Sequence, residues 1–202
     1  YGEHYQGPDL EIEGGPYVAT NNSAYTLRGQ TEPDAEVTIN GESISVDDEG
    51  FFSQVIYLAE GTNTITVIAS NTSGTHTKIQ TVILDTQIPT IYSFTPNENT
   101  TIGGKRVSIY VQARDGYYSK IELIEIQVSP DDGNTWYNIG SIYKDEMTHY
   151  SNYSYGYYYW DTTAYIEGLG NLEDGAYKFR AIAHDRAGNV SNGTPVRIWV
   201  LD

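Results

Sequence analysis

The chain has 202 residues, no cysteine and a formal charge of −16, from 27 acidic against 11 basic residues. Without cysteine there is no disulfide framework, zinc-thiolate site or thiol nucleophile. So acidic a surface repels phosphate backbones, which excludes nucleic acid as a partner, while it favours solubility and attracts divalent cations.

No apolar run approaches the roughly 18–20 residues of a membrane span, so no membrane span is expected. The length suits two domains of about 100 residues. The chain opens at Tyr1 without a basic-then-apolar leader, as a mature or excised segment does.

Residues 1–16 read as an extended segment outside any domain. The alternation Leu10-Glu11-Ile12 would let it act as a donor strand on the open sheet edge of a neighbour. Residues 17–85 form a first domain. Alternating runs predict strands over Ala24–Gln30, Glu36–Ile39, Ser43–Val46, Phe51–Leu58, Asn63–Ser70 and Lys78–Leu84. Asn40-Gly41 between two such runs predicts a type I′ hairpin, whose two central residues need positive φ. This half is strongly acidic: up to Asp85, 13 acids stand against Arg28 and Lys78, leaving −11.

Asp85-Thr86-Gln87-Ile88-Pro89-Thr90 marks the boundary, because proline cannot donate to a central ladder. Residues 86–202 form a second domain, with strands predicted over Ile91–Thr95, Arg106–Ala113, Ile121–Ser129, Trp136–Ile142, Tyr155–Trp160, Tyr177–His184 and Pro195–Leu201. Strands at this spacing predict an all-β fold of two tandem β-sandwiches. The segment 143–165, with eight tyrosines and Trp160, reads as an insertion.

The two halves repeat. Leu58, Gly61, Ile65, Val67, Ala69, Asn71 and Gly74 recur 114 residues later as Leu172, Gly175, Phe179, Ala181, Ala183, Asp185 and Gly188, without a gap. Both halves close alike, on Val82-Ile83-Leu84-Asp85 and Trp199-Val200-Leu201-Asp202, as though a further module followed or a neighbouring subunit docked there. Tyr177, after Asp174-Gly175, suits a tyrosine corner, a ring that bonds backbone upstream. Asn63 holds the equivalent place in the first half, where its amide can bond the turn.

The run from Tyr25-x-Leu27-x-Gly29 through Pro33-x-Ala35-x-Val37-x-Ile39-Asn40-Gly41 to Gly61-x-Asn63-x-Ile65-x-Val67-x-Ala69 resembles bacterial immunoglobulin-like domains of cell-surface proteins and secreted glycosidases. Ala113-x-Asp115, Ile124-x-Ile126-x-Val128 and Ala183-x-Asp185-x-Ala187-Gly188-Asn189 resemble a related module of the same class. The resemblance covers residues 17–202 and implies immunoglobulin-like sandwiches. It says little of function, because such modules are grafted onto many proteins.

Candidate sites are few. Ser129-Pro130-Asp131-Asp132-Gly133-Asn134-Thr135-Trp136 matches a box of sialidase-like propellers, but stands once and reads as a hairpin turn. The acids cluster in turns, and His4, His76, His149 and His184 share no ligand or triad spacing, which suits solvated surface residues. No enzymatic activity is expected. Calcium is the one cofactor considered, with Asp85, Asp115 and Asp185 as oxygen ligands. Tyr153, Tyr155, Tyr157, Tyr158, Tyr159 and Trp160 are expected to form a contact surface, for a partner or for a glycan.

Asn-x-Ser/Thr sequons stand at Asn21, Asn71, Asn99, Asn152, Asn189 and Asn192. With 19 tyrosines they point outside the cell. The sequence therefore predicts a non-enzymatic extracellular or cell-surface element, structural or adhesive. It would be a repeating subunit of a filament or surface layer, or a spacer, partnered by itself or by neighbouring modules. The alternative is a carbohydrate-binding accessory module of a secreted glycosidase.

Overall fold

The structure is a computed structural model, and it describes residues 7–116, 118–193 and 195–202. It divides into two compact units, 1–86 and 87–202, and each is an all-β sandwich.

The first unit contains β1 (Leu10–Ile12), β2 (Tyr17–Thr20), β3 (Ala24–Thr31), β4 (Glu36–Ile39), β5 (Glu42–Ile44), β6 (Phe51–Tyr57), β7 (Gly61–Asn71) and β8 (Gly74–Leu84). They form a three-stranded sheet in the order β1-β3-β6 and a five-stranded sheet in the order β2-β8-β7-β4-β5. Alternation decides which residues face inward. Ile65, Val67 and Ala69 of β7 meet Leu27 and Phe52 of the smaller sheet in one buried cluster. Each fully buried large apolar side chain contributes about 1.5–3 kcal/mol. The Asn40-Gly41 hairpin forms as predicted, with φ of 51° and 86°, and sets β4 against β5 with Val37 opposite Ile44.

Residues 10–12 are not outside the sandwich. β1 pairs antiparallel with β3, Leu10 opposite Thr31, and Leu10 is 1% exposed in the core. The alternation read as a free donor strand reflects an edge strand of the chain's own sheet. Residues 1–6 of that segment lie outside the described residues.

The second unit contains β9 (Thr90–Thr95), β10 (Thr100–Ile102), β11 (Val107–Arg114), β12 (Ile121–Ser129), β13 (Tyr137–Tyr143), a 3-10 turn (Lys144–Glu146), β14 (Thr148–His149), β15 (Tyr153–Trp160), β16 (Gly175–Asp185) and β17 (Arg197–Leu201). The sheet orders are β14-β15-β11-β9 and β10-β17-β16-β12-β13. Trp199 stacks on Phe179 at 4.3 Å between ring centres and tilts against Phe94 at 5.1 Å, and its indole donates to the Pro96 carbonyl.

The two units share one topology. β16 begins and ends 114 residues after β7, and both run antiparallel to the last strand of their unit. In both, the last strand also pairs in parallel with a short early one, β2 with β8 and β10 with β17. By the same topology β15 is the counterpart of β6, since each pairs antiparallel with an inner strand of its unit's smaller sheet, β11 or β3, whose other neighbour is the unit's first strand. The tyrosine-rich segment 143–165 is therefore no insertion as a whole. Its Tyr153–Trp160 stretch is an integral strand paired over eight residues with β11. Among the described residues the first unit has no counterpart of β14, which adds a strand outside β15.

Candidate contact surface

β15 alternates strictly. Ser154, Gly156 and Trp160 are buried, while Tyr157 and Tyr159 are 53% and 51% exposed and Tyr153 and Tyr155 lie half-covered on the same outer face. The inward parity removes two of the expected contact residues. Trp160 packs edge-on against Phe179 in the core. The Tyr158 ring turns inward across Gly140, where any Cβ would collide with it, and its hydroxyl donates to the Ile139 carbonyl at 2.8 Å.

Strand register brings in tyrosines that their sequence positions do not announce. Tyr110 of β11 stands opposite Tyr157, with ring centres 5.1 Å apart, and lies 5.7 Å from Tyr155. Tyr150 stacks on Tyr153 at 4.5 Å. Two guanidinium groups rest on rings, Arg106 over Tyr159 at 4.4 Å and Arg114 over Tyr92 of β9 at 3.6 Å. The outer face of this sheet is thus a phenol-rich patch, with Ser108, Gln112 and the two arginines among its other polar groups. Burial, and then the neighbouring phenols Tyr157, Tyr155 and Tyr153, push the Tyr110 hydroxyl above its usual range. Desolvation and Tyr150 do the same to Tyr153.

The remaining candidates resolve into fold chemistry. Ser129 donates to Asp131 Oδ1 at 2.8 Å and accepts the Gly133 amide, while Asp131 Oδ1 accepts the Thr135 amide at 2.7 Å. These bonds, those from Thr135 first, hold the Asp131 carboxyl below its usual range. Trp136 at the end of the box carries the Arg180 guanidinium, 4.1 Å from its ring centre.

Asp115 and Asp185, two of the expected calcium ligands, approach within 4.8 Å of one another in the second unit. Asp115 accepts from the Gly116 amide and the Ser119 hydroxyl, and Asp185 from the amide and side chain of Asn189. Asp85 closes the first unit, its amide bonded to the Thr20 carbonyl.

Three histidines are less solvated than their spacing implied. His149 is half-buried between Ser154 Oγ and the Lys144 carbonyl, His76 bonds the Pro8 carbonyl, and His184 lies 3.6 Å from Glu125. His4 lies outside the described residues.

Among the sequons, Asn21, Asn99, Asn152 and Asn192 are exposed, and Asn71 is half-buried with its amide donated to Glu32. Asn189 is a correction: it is 8% exposed and its side chain donates to Asp185, so the folded chain offers no room for a glycan there.

In the first unit, a groove of about 500 Å³ is lined in part by Glu13, Arg28 and Asp47. Asp47 there accepts the amides of Glu49 and Phe51 and so serves its own turn. Among the described residues, no helix is long and apolar enough to cross a membrane.

Residues 8–86 match the family model of glucodextranase, domain B. No curated protein matches the chain. Among solved structures, the fibronectin(III)-like modules of Clostridium thermocellum CbhA share 16% identity at a TM-score of 0.53, over 96% of this chain and 93% of that one. The I-band fragment I67–I69 from titin shares 13% identity at a TM-score of 0.42, over 98% of this chain and 66% of that one. The likeness to the CbhA modules shows the fold: the chain is a tandem of immunoglobulin/fibronectin III-like sandwiches.

Proposed function

We propose that the chain is a non-catalytic extracellular module, structural or adhesive, that makes contact through the tyrosine face of its second unit. The observation that carries this reading is the outer face of β15 and β11. Aromatic rings there stay exposed on a sheet whose opposite side already supplies the core. Tyrosine gives large contact area at a small entropic cost, which suits recognition. The fold supports a non-catalytic role, since such sandwiches commonly serve as modules of larger proteins.

Hydroxyl-radical footprinting of native material against the isolated chain tests this. Tyr155, Tyr157 and Tyr159 are expected to be protected in the native material. Equal modification in both samples sinks the contact-surface reading.

A second reading, a carbohydrate-binding accessory module of a secreted glycosidase, is favoured by the glucodextranase match of the first unit. Affinity electrophoresis in polysaccharide gels separates the two. Retardation that Tyr155→Ala and Tyr157→Ala abolish supports it, and unaltered mobility in every polysaccharide rejects it.

Calcium belongs to the same proposal through Asp115 and Asp185, whose paired carboxylates are hard oxygen donors. Millimolar calcium is expected to raise the Tm of the chain, and Asp115→Asn to cancel that rise. A Tm indifferent to calcium refutes it.

A further inference from the structure

The shared topology isolates one difference between the units. In the second, the outer edge of β15 is covered by β14, antiparallel, with Thr148 opposite Tyr155 and His149 opposite Ser154. In the first, β6 holds the equivalent place and, among the described residues, is the last strand of its sheet.

Natural edge strands are guarded by charge, proline, bulges or a cover. From Ser53 to Tyr57 β6 carries none of these among the described residues; only at its start does the Asp47 turn take the outward amide and carbonyl of Phe51. Its sequence, Phe51-Phe52-Ser53-Gln54-Val55-Ile56-Tyr57, contains no charge, proline or glycine in a chain of net charge −16, and it pairs with β3 without a bulge. Tyr57, Phe51 and Val55 are 83%, 52% and 45% exposed.

The direction of the backbone groups follows from the strand's ends. Leu58 donates inward to the Ser23 carbonyl, whereas the amide and carbonyl of Phe51 both turn away from β3 to Asp47. Alternation then points the groups of Ser53, Val55 and Tyr57 outward as well.

We propose that β6 is a self-association edge, on which the β6 of a second copy of this chain adds antiparallel about a two-fold axis at Gln54. That register is self-complementary. Ser53 faces Val55 of the second copy and Val55 faces its Ser53, so the outward amides and carbonyls exchange. Phe51 meets Tyr57 at both ends on the outer face, an aromatic cross-strand pairing. Gln54 meets Gln54 at the axis, and its side-chain amide, which within one copy donates to the Val55 carbonyl at 3.3 Å, gives that carbonyl up to the second copy's strand. Because the strand itself is uncharged, the pairing sets no like charges directly opposite each other. A two-fold contact of one strand with itself is closed, so it yields a dimer of first units. The proposal is independent of the tyrosine face and of its tests.

Sedimentation of the whole chain from micromolar to millimolar concentration is expected to move from the 22.5 kDa monomer to twice that mass. Val55→Lys and Tyr57→Lys, both at exposed positions, are expected to keep it monomeric with an unchanged circular dichroism spectrum. The chain has no cysteine, so Gln54→Cys tests the register directly. Opposed residues in a non-hydrogen-bonded antiparallel pair lie close enough for a disulfide. Gln54→Cys should therefore oxidise to a covalent dimer, while Ser53→Cys, offset by two residues along the ladder, should not. A chain monomeric throughout overturns the proposal. So does a dimer that survives both lysine variants, or equal cross-linking of the two cysteine variants.

Discussion

Asn63 and Tyr177 stand 114 residues apart and do the same work with different chemistry. The Asn63 amide donates to the Ala59 carbonyl at 2.8 Å, and the Tyr177 hydroxyl to the Glu173 carbonyl at 2.9 Å, so both reach the carbonyl four residues upstream. Asn63 also accepts the Ala59 amide and donates to Gly61, which makes it the more heavily used of the two. Replacing it should leave several turn groups unpaired. Asn63→Ala is expected to cost about 1–3 kcal/mol and Tyr177→Phe about 1 kcal/mol. Thermal denaturation of the two variants checks the order; a larger loss for Tyr177→Phe contradicts it. Both roles could be read from the sequence, because the spacing from the turn glycine is a local quantity. The burial of Asn189 could not, because Asp185 takes its amide only once the turn between them has closed.

On the scale of one strand, β15 shows what a pattern can and cannot reveal. Its parity was legible: Tyr153, Tyr155, Tyr157 and Tyr159 share one face. The same parity sends Tyr158 and Trp160 inward. The neighbours were not legible, since Tyr110 and Tyr92 reach the patch through register, and a register shift near Gln112 places Tyr92 there.

The phenol pKa shifts give a test of this sheet and of Tyr25 in β3. Tyr110, Tyr153, Tyr158 and Tyr25 are all raised, chiefly by burial. A phenol whose folded pKa exceeds its unfolded value of about 10 favours folding below that pH. Its contribution is lost as the pH climbs through the folded value. The Tm is therefore expected to fall above about pH 10, with these four phenols ionising late in an ultraviolet absorbance titration. Tyr110→Phe should shrink the late step. A Tm that climbs across this range would contradict the assignment.

For the molecule as a whole, the alternating runs gave most strands to within a few residues, and Glu36–Ile39 and Ile121–Ser129 to the residue. The elements that escaped are short, β2, β10 and β14, each four residues or fewer. Such pieces carry no period of their own and exist because a longer strand offers them an edge. One consequence concerns tension. In both units the first strand of the larger sheet runs parallel to the last, over four paired positions in β2–β8 and three in β10–β17. A pull along the chain that has passed β1 or β9 would drag these strands lengthwise past each other, so that the bonds between them bear the load together instead of opening one by one. Under such a pull each sandwich would act as a shear-loaded link.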